Sequence, residues 1–504
     1  MRNRQYLNWL AAFTLGSAGV AYAADAPARL ELRPCRISHV ENEVKCATYE
    51  VFENRDSRQG RKISLNIVVL PATARIKETD AIFLFAGGPG QAATDFGRQA
   101  LGIFGGLNSK RDIVLVDQRG TGKSNGLFCR MPKAGDPGMN EVAKRDVIAR
   151  KFLAECRAEL SRRADLSLYT TTIAMADIDD VRAALGYDKI DLWGGSYGTR
   201  AALEYLRRYP AHVRSVVIDG VAPPSMALPL GFGRDAGASY EKMLVACEKE
   251  KTCNEQYPSL RAEVNAMLDE LGKKPRKVSI ADALTGKVRE MEISRDIVLI
   301  SIFTSLYVPE LSAMMPGLLM DARHGNFGPL LSQGSLFGDG GDDKMAYGMR
   351  LSVVCAEDLP RIGEDAAKAE AAHAPFGRLF IDEFRKGCEN WPRGKVPDDF
   401  SNPVQSSVPA LIFSGAQDPV TPPAQGEEVK KSLANSVHLV APNIGHGISG
   451  HGCAPRLIKR FIESASVAGI DGECLHRLPR PLFPLPMRDR EDKRDDKTTG
   501  AGHD

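Results

Sequence analysis

Three residue types in this chain could together perform nucleophilic catalysis: a serine, a histidine and a carboxylate, each in a distinctive loop. Ser196 lies in "GGSYG" (194–198), between an apolar run and an amphipathic stretch. That is the G-x-S-x-G pattern, in which a sharp strand-to-helix turn exposes a serine hydroxyl. The hydroxyl is a weak nucleophile at neutral pH, so it needs a base. The base in turn needs a carboxylate to fix its tautomer and stabilise its charged form. His446, between glycines in "IGHGISGHG", offers the base, with His451 as its local rival among nine histidines. Asp418, in the Pro-rich "SGAQDPVTPP", offers the carboxylate. A transition state with charge on oxygen also needs preorganised N–H donors. Two are at hand: the backbone of Tyr197, directly after the serine, and that of Gly88 in "FAGGPG" (85–90). Taken singly, each loop has a plainer reading as a close-packing glycine, an Asp-Pro turn or a solvated histidine. Their order along the chain, Ser then Asp then His, raises them above it.

Such groups must be held at the ends of rigid elements. The runs "AIFLF", "DIVLV", "KIDLW" and "VRSVVID" are continuous Val/Ile/Leu-rich stretches of the kind that form strands buried on both faces of a parallel sheet. "TTIAMADIDDVRAALGYD" spaces Ile178, Val181 and Leu185 as a helix that stops at Gly186. Residues 30–75 alternate as β-hairpins. After "VAPP" (221–224) the rhythm turns to amphipathic helices with one β-like interruption, and the strand pattern resumes in "PALIFSG" and "SVHLVAPN". The expected fold is α/β: an α/β-hydrolase core, mostly parallel with helices on both faces, split by a large, mostly helical cap insertion. The expected divisions are a signal peptide at 1–23, core at 24–224, cap at 225–400, core at 401–487 and a charged disordered tail at 488–504.

Composition excludes several classes. A net charge of +2 in 504 residues, with no basic stripe carrying aromatics, gives no reason to expect nucleic-acid binding. "MRNRQYLNWLAAFTLGSAGVAYA" has the basic start, apolar centre and small-residue end of a cleaved secretory signal. Asn8, Thr14 and Ser17 interrupt a run already short for a membrane anchor, and no later segment reaches spanning length. Localisation is therefore expected to be periplasmic or secreted, with no stable membrane insertion after cleavage. Ten cysteines suit an oxidising compartment. No C-x-x-C pair suggests zinc, and the expected pairing is between sequence neighbours, from Cys35/Cys46 to Cys453/Cys474. The serine chemistry requires no metal and no organic cofactor.

Several motifs together resemble the α/β-hydrolase peptidases grouped with prolyl and tripeptidyl aminopeptidases, over roughly residues 45–475. "GGPGQ" (87–91) is similar to their oxyanion loop and "DQRGTGKS" (117–124) to the turn after the next strand. "GGSYG", "VVIDGVAPP" (216–224), "SGAQDPVTPP" and the glycine-flanked His446 also match. The long insert is closer to the tripeptidyl type. The resemblance implies a Ser196–Asp418–His446 triad, an oxyanion hole at Gly88 and Tyr197, and aminopeptidase action on short peptides. One departure is Ala86, where the family often has histidine. The family also implies cap acids that hold a substrate ammonium, and "VVCAEDLP" (353–360) offers Glu357 and Asp358 by position. The competing reading of that pair is a helix start favoured by the dipole. A secreted carboxylesterase on small acyl esters, and a non-catalytic interaction protein on the same scaffold, are the alternatives.

Overall fold

Short runs such as "AIFLF" and "DIVLV" bury every side chain, which requires a sheet covered on both faces. The computed structural model describes residues 30–130, 132, 136–281, 286–338 and 344–484, and shows that sheet. The expected signal peptide and charged tail lie outside the described residues. In chain order the strands are β1 (Arg33–Cys35), β2 (Val44–Phe52), β3 (Lys62–Leu70), β4 (Ala81–Phe85), β5 (Asp112–Val116), β6 (Ile190–Gly195) and β7 (Val213–Asp219). They continue with β8 (Arg276–Ala281), β9 (Val288–Ile293), β10 (Ala410–Gly415) and β11 (Ser436–Ala441). Nine of them form one sheet in the order β1-β2-β3-β5-β4-β6-β7-β10-β11. The β1–β2, β2–β3 and β3–β5 pairs are antiparallel and the rest parallel. This is the α/β-hydrolase fold.

Alternation along β4 sends its side chains to two separate cores. Phe83 and Phe85 pack with Ile178, Val181, Ala202 and Tyr205, from helices Thr171–Leu185 and Tyr197–Arg208. Ile82 and Leu84 pack on the other face with Phe104, Ile458 and Phe461, from helices Gly97–Asn108 and Ala454–Ser464. Gly186 ends its helix in the left-handed region at φ 82°, donating to Ala183 and Arg182 carbonyls. Each fully buried aliphatic or aromatic side chain contributes about 1.5–3 kcal/mol, so these two layers hold the loops at the strand ends rigidly.

Between β7 and β10 the chain leaves the sheet, yet the two strands pair directly, Val216 beside Ala410. The departing segment carries helices Phe232–Lys249, Leu260–Lys273, Arg295–Leu306, Pro309–Arg323, Tyr347–Glu357 and Leu379–Cys388, and the β8–β9 hairpin. It has a core of its own around Leu244, Val264, Ile302 and Leu319. The cysteines join as Cys35–Cys46, Cys129–Cys156, Cys247–Cys253, Cys355–Cys388 and Cys453–Cys474. Among the described residues, no helix is long and apolar enough to cross a membrane.

Candidate active site

Ser196 sits between β6 and helix Tyr197–Arg208 at φ 56° and ψ −127°, a conformation that costs of order 1–3 kcal/mol for a non-glycine residue. Its neighbours make that turn possible. A Cβ on Gly194 would lie 2.2 Å from the Gly198 carbonyl oxygen, and one on Gly198 would lie 2.1 Å from that of Phe85. No larger residue fits either place. The Ser196 N–H donates to the Asp219 carbonyl (2.9 Å), and its own carbonyl accepts from the N–H and hydroxyl of Thr199. Tyr197 opens the helix, where the first N–H groups have no intrahelical partner.

The loop after β4 lies against this turn. A Cβ on Gly87 would come within 3.1 Å of the Ser196 Cβ, so the loop backbone lies beside the nucleophile. Gly88 has φ 109°, and a Cβ there would meet the Gly90 nitrogen at 2.7 Å. The cap fixes the same loop from above. The Ala346 N–H donates to the Gly90 carbonyl (2.9 Å), and Gln91 bridges to Met345.

His446 follows β11 and faces Asp418, which follows β10. The His446 Nδ1 to Asp418 Oδ2 distance is 2.7 Å, and the Asp418 side chain has no solvent exposure. The other Asp418 oxygen accepts from the N–H groups of Val420 and Thr421, while the Thr421 hydroxyl donates to Oδ2. With Nδ1–H given to a carboxylate, Nε2 is left as the acceptor of the neutral ring. Burial alone would raise the Asp418 carboxyl, but the His446 charge and hydrogen bond and the Thr421 donors hold it below the ordinary carboxylate value. Burial would likewise lower His446. The Asp418 charge and hydrogen bond, with the Asp219 charge behind them, lift it above its ordinary value instead.

Asp219 ties the two halves together, a role that the sequence did not reveal. Its carbonyl holds Ser196, while its buried carboxylate accepts the N–H groups of Ile448 and Ser449 in the histidine loop. A Cβ on the next residue, Gly220 (φ 66°), would touch the His446 ring at 3.1 Å. Tyr307, from the cap, braces the imidazole. Its carbonyl accepts the His446 N–H (2.9 Å), and its ring meets the imidazole edge-on with centroids 5.0 Å apart. The structure therefore brings Ser196, Asp418, His446, Tyr197 and the Gly88 loop to one place.

Glu357 and Asp358 are elsewhere. Neither lines the pocket at Ser196, and both are buried where helix Tyr347–Glu357 ends, Asp358 also standing before the 3-10 turn Leu359–Arg361. Asp358 pairs with Arg200 (2.8 Å), also accepts from Arg361, and takes the Leu228 N–H. Glu357 accepts from the N–H and hydroxyl of Thr171, whose hydroxyl lies 2.6 Å from that of Tyr197. Burial, and then the neighbouring Asp358 charge, push the Glu357 carboxyl up to about 8. The structure brings neither acid to the pocket and partners both from the core. Two acids at a helix C-terminus oppose the dipole, and they are tolerated because Arg200 and Thr171 meet them from the core. Among the described residues the pocket instead has one charged lining residue, Arg350. Among the described residues, no cluster of His, Cys, Asp or Glu is placed to hold a metal ion.

A serine turn at the carboxyl end of a parallel sheet, with a carboxylate-held imidazole on a loop tied to it through Asp219, is the arrangement of an α/β-hydrolase enzyme. Residues 80–243 match the family described as alpha/beta hydrolase fold, and residues 372–474 match the one described as TAP-like protein. Serine protease Hip1 of Mycobacterium tuberculosis is 22% identical over 493 residues, spanning 88% of this chain and 91% of that protein. Tripeptidyl aminopeptidase of Streptomyces lividans is 28% identical over 223 residues, 41% of each chain. Carboxylesterase B of Mycobacterium tuberculosis is 26% identical over 424 residues, 77% of this chain and 78% of that protein. Two stretches of the chain thus match α/β-hydrolase families, and its relatives include a serine protease, an aminopeptidase and a carboxylesterase.

Proposed function

We propose that this chain is an exported serine peptidase of aminopeptidase type, cleaving short peptides through an acyl-enzyme formed on Ser196. The Ser196 Oγ attacks the scissile carbonyl while His446 Nε2 takes its proton. The Tyr197 N–H and a donor of the Gly88 loop stabilise the oxyanion, and Asp418 stabilises the imidazolium. Collapse breaks the C–N bond, His446 protonates the leaving amine, and water repeats the sequence to release the acyl group. The observation that carries this reading is the 2.7 Å Asp418–His446 contact, linked through Asp219 to a serine held at positive φ. The aminopeptidase assignment draws on the names of the relatives. Export draws on the N-terminal sequence and the five disulfides.

A fluorophosphonate probe tests the chemistry: it should label the wild type and not Ser196→Ala. Labelling that survives the substitution would overturn the nucleophile. One observation favours the alternative of a secreted carboxylesterase: among the described residues no carboxylate lines the pocket to receive a substrate ammonium. Turnover of N-blocked substrates and small acyl esters in preference to peptides with a free amino terminus would decide for the esterase.

A further inference from the structure

The pocket at Ser196 is walled mainly by apolar side chains, among them Met226, Leu228, Phe232 and Phe384. Among the described residues a single ionised side chain, Arg350, enters it, one helical turn beyond the Ala346 N–H that pins the Gly90 carbonyl. Its guanidinium lies over the Phe384 ring, 4.8 Å from the centroid. Among the described residues no carboxylate pairs with it, and its buried Nε has no hydrogen-bond partner. The buried Nε of Arg200 is unpartnered too, so what sets Arg350 apart from Arg119 and Arg200 is the anion. Arg119 is held by Asp177 and Arg200 by Asp358, each through short charge-assisted bonds. A guanidinium kept half out of water without an anion is a poor arrangement for the free protein and a good one for an arriving anion. The planar fork and the aromatic shelf beneath it are the geometry with which arginine receives a carboxylate.

We infer that Arg350 is a specificity-determining residue that binds a carboxylate of the substrate beside the scissile bond. This deepens the serine peptidase reading and rests on it. Two sources share that chemistry: an acidic side chain on the acyl residue, and the free C-terminal carboxylate of a short leaving peptide. Both reverse the electrostatic preference that cap acids would impose, because the charge at the pocket is positive.

The test compares matched substrates on the full-length enzyme. In one arm, tripeptide p-nitroanilides differ only in Glu or Gln at the acyl residue. In the other, tetrapeptides carry a free C-terminal carboxylate or its amide. In one arm the wild type should favour the carboxylate by about ten- to a hundredfold in kcat/KM, as expected for one charge-assisted contact. That ratio should collapse in Arg350→Gln and recover in part in Arg350→Lys, which keeps the charge but not the fork. Because the readout is a ratio, a general loss of activity does not move it, and the wild-type ratio stands even where a variant folds poorly. Flat wild-type ratios in both arms, or a preference that persists in Arg350→Gln, would overturn the inference. Fluorophosphonate labelling of Ser196 separates the two failures. With labelling intact and ratios flat, only the role of Arg350 falls. Without labelling, the serine hydrolase reading falls and this one with it.

Discussion

The carboxyl edge of the sheet and the underside of the cap both reach Ser196, but they hold their side chains in different ways. On the sheet side each group follows directly on the end of a strand. Asp418 leaves β10, His446 leaves β11, and Asp219 at the end of β7 bonds to both the serine turn and the histidine loop. On the cap side, groups are fixed by partners distant in sequence. Asp358 waits for Arg200, Glu357 for Thr171, and Arg350 for no described residue of this chain. The difference teaches where chemistry and selectivity reside. On the proposed function, the sheet determines what happens to a carbonyl, and the cap determines which carbonyl arrives.

The contrast can be broken most severely at the sheet. Ser196→Ala should lower kcat by about 10⁶-fold in steady-state assays while leaving the thermal unfolding profile in place. His446→Ala should match it, whereas His451→Ala should remain near wild type. Next in size, Asp418→Asn should lose about 10⁴-fold in kcat, because the ring loses the partner that fixes its tautomer. The pH profile sharpens this. Only the neutral imidazole is a base, and its pKa is raised in the folded enzyme. Wild-type kcat/KM should therefore fall on the acid side with a midpoint above 6.5, and Asp418→Asn should move that midpoint down.

Cap substitutions should act first on folding. Asp358→Ala leaves Arg200 buried without its anion and should destabilise by about 3–5 kcal/mol in denaturant unfolding. The smallest effect is expected at Glu357→Gln. The KM for peptides with a free amino terminus should stay close to wild type, since Glu357 does not line the pocket. Its signature is thermal. The folded carboxyl titrates near 8 against 4.5 unfolded, so the wild type's contribution is complete below 4.5 and declines as pH rises toward 8. The neutral glutamine escapes that decline. The Tm of Glu357→Gln relative to wild type should rise across that window, and a flat difference would contradict the burial argument.

Legibility in the sequence follows the same division. The placement of Ser196, Asp418 and His446 at the ends of β6, β10 and β11 could be read because their order along the chain is informative where each loop alone has a plainer use. Asp219 was quoted within "VVIDGVAPP" without a role, since nothing in a strand-terminal aspartate says that it will bind backbone N–H groups 229 residues away. Glu357 and Asp358 looked available because a sequence does not display Arg200, 158 residues upstream, as the partner of Asp358. Arg350 gave no signal, as a single arginine on an amphipathic helix is ordinarily a solvated one. Helix Val142–Ser161 also went unread. It fully buries only Cys156 and Leu160, too few to print a stripe.

The Cys355–Cys388 bond joins helix Tyr347–Glu357 to helix Leu379–Cys388, and these two helices carry Arg350 and Phe384. A free arginine side chain has about 2 kcal/mol of rotamer entropy to lose when it is held for a ligand. Here part of that ordering is done covalently, when the two helices are stapled and the guanidinium settles on its ring. On the proposed role of Arg350, selectivity is a property acquired by oxidation. A chain whose thiols are still reduced would already carry the serine, the histidine and the aspartate, but its proposed anion receptor would be slack.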